Sequence, residues 1–162
     1  MVNLKKILNS HLNLFIFILS TLIFIVWIFF IRPKLYLDKV NKNLEQTKTI
    51  QLKIKSINEN KSLGGKEIKN DKDVKDIVFI LKESISMYIK GSKKDVWIKL
   101  PKVELESPKE YTLIFLNSKE NKITEIKLSQ TLDDNLDIYI NGYHYDIFIE
   151  NKEKLFYILE NL

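Results

Sequence analysis

The chain offers few side chains that could do chemistry, and its two histidines are the first to consider. His11 lies in the amino-terminal flank, His144 lies on a predicted strand, and the sequence contains no cysteine. A cysteine nucleophile is therefore excluded, and one histidine in the soluble part is too few for the clustered ligands of a typical zinc site. His144 alternates with tyrosines, which favours a solvent-facing strand residue over a general base. We expect no metal ion and no cofactor.

Carboxylates are the next candidates for catalysis. They occur at Asp133, Asp134, Asp137 and Asp146. Paired carboxylates hydrolyse glycosides when roughly 5–9 Å separates them, so an envelope hydrolase is one hypothesis. Asp133-Asp134 falls between two predicted strands, however, where a turn is the simpler interpretation, and the spacing does not match a calcium-binding loop. The four glycines of the chain fit neither a Walker nor a Rossmann phosphate motif. We expect no catalytic residue.

Four aromatic residues surround the clearest turn signal of the sequence. They are Tyr139, Tyr143, Tyr145 and Phe148. Aromatic side chains contribute much of the energy of protein interfaces, so these four residues are a candidate interaction surface. Cross-strand packing, which aromatic residues on strands commonly provide, is the favoured interpretation.

The hairpin that would carry these residues is the strongest local prediction. Apolar and polar residues alternate over residues 136–140 and again over residues 143–149, and Asn141-Gly142 lies between the two runs. Asn-Gly supplies the positive φ angles of a two-residue type I′ turn. The sequence therefore predicts two antiparallel strands joined at this dipeptide.

Several further strands are predicted. Residues 49–57 alternate, residues 123–128 place Ile126 and Leu128 on one side, and two apolar segments, residues 111–116 and the short segment 96–98, complete the set. Residues 58–69 are polar and contain Gly64-Gly65, which predicts a turn-like connection. Pro101 and Pro108 bracket a stretch that is predicted to be an ordered loop.

Two helices are predicted in the same part of the chain. Asn70-Asp71 is an N-cap signal, apolar residues then recur every three or four positions, and Gly91 suits a C-cap. A second helix with an apolar stripe covers residues 152–162. The order β-α-(β)-β-β-β-β-α predicts an α+β fold, in which helices pack on one face of a mostly antiparallel sheet.

An apolar run near the amino terminus organises the whole chain. Residues 14–31 read LFIFILSTLIFIVWIFFI, with Ser20 and Thr21 as the only polar residues and no charge. A helix of this length covers about 27 Å, close to the ~30 Å hydrocarbon core of a bilayer. The run is longer than the hydrophobic region of a signal peptide, and a chain without alanine lacks the usual cleavage site. The sequence therefore predicts one uncleaved membrane-spanning helix.

This helix sets the predicted domain organisation. Residues 1–11 form a tail, residues 12–32 the transmembrane helix, residues 33–48 a helical stalk, and residues 49–162 the soluble α+β domain. The stalk prediction rests on Leu37, Val40 and Leu44, which recur at helical spacing on an otherwise charged segment. A semi-rigid spacer is the favoured interpretation, and pairing with a partner helix is the alternative.

The charge distribution bears on partners and on orientation. The net charge is +5, and most of it belongs to the flanks of the apolar run, so the soluble part is nearly neutral and lacks a nucleic-acid footprint. Short amino-terminal tails usually stay in the cytoplasm, which would place the domain outside the cell. The positive-inside rule favours the opposite orientation, because four basic residues follow the run. These are Arg32, Lys34, Lys39 and Lys42.

Four features of residues 47–162 support a comparison with a known group of proteins. They are the opening strand, the capped helix, the segment SPKEYTLIFLN and the ending GYHYDIFIENKEKLFYIL, in which a glycine-aromatic hairpin leads into a leucine-rich helix. In these features the chain resembles small membrane-tethered extracytoplasmic domains of unknown function from Gram-positive bacteria. The resemblance implies a location outside the cell and transfers no catalytic residue. The chain departs from the lipoprotein members of that group because it has no lipobox cysteine.

Three functional hypotheses follow. The first is a single-pass membrane protein, held in the lipid bilayer by residues 14–31, that presents a non-enzymatic accessory or binding domain outside the cell. Another membrane or envelope protein is left open as its partner. The second is a cytoplasmic-facing regulatory or assembly subunit of a membrane complex. The third is the envelope hydrolase.

Overall fold

The computed structural model describes residues 2–90, 108–130, 136–149 and 151–161, with side chains from residue 12 onward. The chain divides into two units, Met1–Leu37 and Asp38–Leu162.

A long apolar helix forms most of the first unit. Helix α1 (Val2–Val26) continues through a π-helical turn (Trp27–Ile31) into helix α2 (Arg32–Leu44). Apart from Ile28, the large apolar residues between positions 12 and 31 are 43–69% exposed. Among the described residues this is the one helix that is long and apolar enough to cross a membrane.

The π-helical turn has a physical cause in Pro33. Proline lacks an N–H group, and in a regular helix its ring clashes with the carbonyl group four residues earlier, here that of Phe29. The backbone N–H of Arg32 donates to the carbonyl oxygen of Trp27, five residues earlier, which is the wider π-type spacing. The helix therefore continues past Pro33 instead of ending at it.

The second unit contains a six-stranded sheet among its described residues. The strands are β1 (Thr49–Ser56), β2 (Lys61–Ile68), β3 (Lys109–Leu116), β4 (Lys122–Gln130), β5 (Leu136–Ile140) and β6 (Tyr143–Tyr145). Their spatial order is β2-β1-β3-β4-β5-β6, and each neighbouring pair is antiparallel.

The described part of the unit also contains the helices α3 (Asp71–Lys90) and α4 (Lys152–Asn161). The α3 helix begins as predicted, because the Asn70 side-chain oxygen accepts a hydrogen bond from the backbone N–H of Lys72 at 3.1 Å. One face of the sheet and the inward stripes of both helices form the buried core. Its largest fully buried members on the strands are Ile50, Leu52, Tyr111, Leu113, Phe115, Ile126, Leu128 and Ile140. The predicted α+β fold with helices on one face of an antiparallel sheet is confirmed.

The last turns of α2 are part of this core. Val40 and Leu44 are buried, and the Asn41 amide donates a hydrogen bond to the Ser86 hydroxyl of α3 at 2.7 Å. The globular unit accordingly begins at Asp38, earlier in the chain than the predicted domain start at residue 49.

The predicted turn-like connection at residues 58–69 is wrong, because most of it is strand β2. Seven of the eight β2 residues are exposed, so this edge strand has no alternation for sequence reasoning to detect. Gly64 has a φ of +131° at a β-bulge, and a Cβ atom on Gly65 would lie 2.9 Å from the Leu52 carbonyl oxygen. Gly64 thus permits the bulge, and Gly65 permits the close approach of β2 to β1. The chain reverses before these glycines, near Asn60 (φ +51°).

The Asn-Gly hairpin forms as predicted. Asn141 and Gly142 have φ angles of +48° and +85°, the left-handed values of a type I′ turn. The second strand is shorter than predicted, since the ladder ends at Tyr145. Ile147 and Ile149 are nevertheless buried, as their alternation indicated. Three predictions lie outside the described residues. They are the short strand at residues 96–98, most of the loop that follows it and the C-cap glycine.

Candidate functional site

The face of the sheet opposite the helices carries polar side chains, and five of them form a connected group. We call this group the Tyr139 cluster; it consists of Glu110, Lys127, Asp137, Tyr139 and His144. Residues directly opposite each other on antiparallel strands point to the same face. Lys127 lies opposite Tyr139, which lies opposite His144, so β4, β5 and β6 place these three side chains side by side.

Contacts run through the whole Tyr139 cluster. Lys127 Nζ lies 2.8 Å from the Glu110 carboxylate and 5.3 Å from the centre of the Tyr139 ring. On its other side the Tyr139 ring lies 5.1 Å from the His144 ring, at a tilt of 53°. His144 Nε2 is 3.5 Å from an Asp137 carboxylate oxygen. One lysine, two rings and two carboxylates are therefore in contact across the four strands β3 to β6.

The cluster is accessible to solvent. The exposed fractions of the four polar side chains beside Tyr139 range from 20% for Glu110 to 54% for His144. Ion pairs at such positions contribute about 0–1 kcal/mol each. The ion pairs of the Tyr139 cluster therefore contribute little to the free energy of folding.

The geometry bears on whether the cluster could catalyse a reaction. A base that is hydrogen-bonded to a carboxylate is two thirds of a nucleophilic triad, whereas His144 lies at an ion-pair distance of 3.5 Å from Asp137. Thr112 and Ser129, opposite Lys127 and Asp137, carry hydroxyls on the same face, but among the described residues neither is hydrogen-bonded to His144. The arrangement can bind a ligand through charges, hydrogen bonds and a ring, and it lacks the nucleophile–base contact of acyl transfer.

The structure separates the four aromatic residues that the sequence grouped together. Tyr139 belongs to the cluster, whereas Tyr143 and Tyr145 lie opposite Ile140 and Ile138 and so share the helix-covered face. Tyr145 makes an edge-to-face contact with Tyr88 of α3, with 6.4 Å between the ring centres. Tyr143 is 66% exposed.

Phe148 lies beyond β6 and is 55% exposed, while its neighbours Ile147 and Ile149 are buried. The candidate interaction surface is thus divided between two faces. Tyr139 makes cross-strand contacts with Lys127 and His144, and Tyr145 packs against Tyr88 of α3.

The structure describes two of the four carboxylates of the hydrolase hypothesis. Asp137 pairs with His144, and Asp146 is exposed after β6. Asp133 and Asp134 lie outside the described residues. No group of three potential metal-binding residues occurs in the part of the chain that the structure describes.

A partly buried polar network that sequence reasoning missed joins β3 to α4. The Tyr111 hydroxyl donates to a Glu160 carboxylate oxygen at 2.8 Å, and Lys109 Nζ donates to the same oxygen at 2.9 Å. The hydrogen bonds from Lys109 and Tyr111 lower the pKa of Glu160. Burial, and then the hydrogen bond to Glu160, raise the pKa of Tyr111. The network fixes the last helix on the sheet, which is a structural role.

The core between α3 and the sheet contains a narrow gap. Its lining is apolar apart from Ser84, whose hydroxyl donates to the Ile80 carbonyl oxygen at 2.8 Å. The lining residues are Leu81, Ser84, Ile85, Ile126, Ile138, Ile140, Ile147 and Ile149. A gap with no free polar group offers nothing to orient a polar substrate.

Comparisons of the chain with protein-family models, with curated proteins and with solved structures found no match.

Proposed function

We propose that this chain is a single-pass membrane protein that presents a non-enzymatic binding or accessory domain outside the cell. The observation that carries the proposal is the exposure of the apolar helix. Its side chains between residues 12 and 31 lack burial in the protein, whereas the comparable side chains of the second unit form a core. Apolar surface of this extent is stable in hydrocarbon and not in water.

The polar groups of the helix support the same proposal. In a bilayer each polar group needs a partner within the protein. The Ser20 and Thr21 hydroxyls both donate to the carbonyl oxygen of Phe17, at 2.9 and 2.8 Å. A single helix with these side chains can cross the bilayer without a second helix.

A binding role is supported by the Tyr139 cluster. It combines a tyrosine ring, a histidine ring, a lysine and two carboxylates on an accessible sheet face, and aromatic and charged groups of this kind are common in recognition surfaces. The partner that we propose is another membrane or envelope protein. The resemblance to tethered extracytoplasmic domains favours the same role.

A cytoplasmic location is the second candidate, and one observation favours it. Four basic residues follow the apolar run within about 15 positions, against two that precede it. In that orientation the domain would regulate or assemble a membrane complex from inside the cell.

Cysteine labelling distinguishes the two locations, because the chain has no cysteine of its own. One variant carries Ser118→Cys in the exposed β3–β4 turn, and a matched variant carries Asn3→Cys in the tail. With a membrane-impermeant maleimide on intact protoplasts, we expect the position-118 cysteine to react and the position-3 cysteine to react only after lysis. The reverse pattern would contradict the external location and support the cytoplasmic one.

A further inference from the structure

Positive charge is concentrated in the hairpin formed by β1 and β2. From Asp38 onward the chain has 22 basic and 21 acidic residues, but residues 48–69 alone contain six lysines and two glutamates. That segment carries a net charge of +4, and the rest of the unit carries −3. The six lysines are Lys48, Lys53, Lys55, Lys61, Lys66 and Lys69.

These lysines are exposed and largely uncompensated. All six are exposed, and within the described residues Lys69, paired with Glu67 at 3.0 Å, is the single one with an ion-pair partner. Lysines elsewhere on the sheet are paired, as Lys127 is with Glu110 and Lys109 is with Glu160. The hairpin therefore projects a positive potential that the opposite edge of the sheet does not.

The far end of the hairpin also exposes two aliphatic side chains. Ile54 pairs with Gly64 and Lys55 pairs with Ser62, so the bulge leaves Leu63 without a partner on β1. Leu63 is 51% exposed and Ile57, in the adjoining turn, is 37% exposed. Aliphatic side chains among exposed lysines match an anionic lipid surface, which offers both phosphate charge and an apolar interior.

We propose that the β1–β2 hairpin docks on the surface of an anionic bilayer, with its lysines at the phosphate headgroups and Leu63 and Ile57 in the interface. The inference rests on the proposed membrane anchor, which confines the domain to the neighbourhood of a bilayer. A soluble anionic polymer would match the lysines and leave the two aliphatic side chains unexplained. A lipid surface accounts for both features.

A fluorescent label on the full-length protein tests the proposal. Leu63→Cys carries an environment-sensitive fluorophore, and Tyr157→Cys, at a 69% exposed position on α4, is the matched control. Each is reconstituted into bilayers of neutral or anionic phospholipid. In anionic bilayers we expect the label at position 63, and not that at 157, to shift to shorter wavelength and to be quenched by spin-labelled lipid. High salt should reverse the shift, because it screens the lysines.

Neutralising the lysines gives the second arm. In the Leu63→Cys background, Lys53, Lys55, Lys61 and Lys66 are changed to glutamine, which exposed positions should tolerate, as circular dichroism would check. We expect the ratio of docked to undocked label to fall roughly a hundredfold or more.

Three results would overturn the proposal. They are an unchanged label at position 63, equal changes at positions 63 and 157, and a shift that anionic lipid fails to produce but soluble polyphosphate does. The last result would assign the hairpin to an anionic polymer. If the label stays unchanged while the protein resists alkaline extraction, the docking inference fails and the membrane anchor stands.

Discussion

The apolar helix and the sheet domain use the same kinds of residue in opposite ways. Phe24 on the helix is 60% exposed, while Phe115 on β3 is completely buried. Both arrangements are stable only if each ring lies in an apolar environment. The domain makes that environment from its own side chains, whereas the helix makes none among the described residues, which is the reason for the proposed membrane span. The chain therefore contains two regions that are stabilised in different ways, and each region can be perturbed separately.

The largest effect on stability is expected from removing the last turns of α2 from the domain. A fragment of residues 38–162 keeps the last turns of α2, whereas a fragment of residues 49–162 loses Val40 and Leu44 from the core. Burial of these two side chains contributes about 3–6 kcal/mol. We expect the longer fragment to unfold cooperatively in urea and the shorter one to be destabilised by that amount or unfolded. Equal midpoints would show that α2 is a spacer after all.

A matched pair of substitutions tests the comparison directly. Phe115→Ala should destabilise the domain by about 3–5 kcal/mol, because it opens a cavity in the core. Phe24→Ala removes the same atoms from the exposed helix and should leave the unfolding midpoint of the domain unchanged. Urea unfolding of the full chain in detergent, followed by near-ultraviolet circular dichroism, measures both. A comparable loss in the two variants would refute the division into independent regions.

The contact between β3 and α4 should depend on pH. Tyr111→Phe removes a hydrogen bond to Glu160 and should cost about 1–2 kcal/mol. Because the pKa of Glu160 is lowered in the folded protein, its contribution is complete above the ordinary carboxyl pKa of about 4.3 and is lost as the pH falls through the folded value.

Unfolding midpoints measured from pH 7 down to pH 3 check this dependence. The Glu160→Gln variant serves as the control, since it should lose stability less steeply with acid than the parent protein. Identical pH profiles for parent and variant would show that Glu160 does not carry the effect.

The smallest effect is expected at the Tyr139 cluster. Lys127→Ala removes an ion pair with Glu110 and a cation–ring contact with Tyr139, both at the solvent-accessible face, and should cost less than about 1 kcal/mol. A loss above about 2 kcal/mol in urea unfolding would show that the cluster belongs to the core and is not a free surface.

The parts of the fold that could be predicted are those with a local cause. Asn141-Gly142 fixes its turn through the φ angles that these residues tolerate, and Asn70 caps a helix through its own side chain. Alternation placed the inner residues of β1, β4 and β5 correctly, because each of these strands has one more deeply buried face. Strand β2 was missed because it is exposed on both faces and gives no such signal.

The candidate site was harder to predict, since its members come together through long-range pairing. Glu110 and Lys127 meet Tyr139 only because β3, β4 and β5 are neighbours in a particular register. The separation of Tyr139 from Tyr143, in contrast, was available from the sequence. A two-residue turn places residue 140 opposite residue 143, and side chains alternate along a strand. That rule would have paired Tyr139 with His144.

Alkaline carbonate extraction of membranes, combined with the intact mass of the extracted protein, tests the central claim most directly. If the apolar helix stays in the bilayer, the full-length chain of 19.2 kDa should remain in the membrane pellet. A chain that appears in the supernatant, or whose mass shows that it begins after Arg32, would contradict the account.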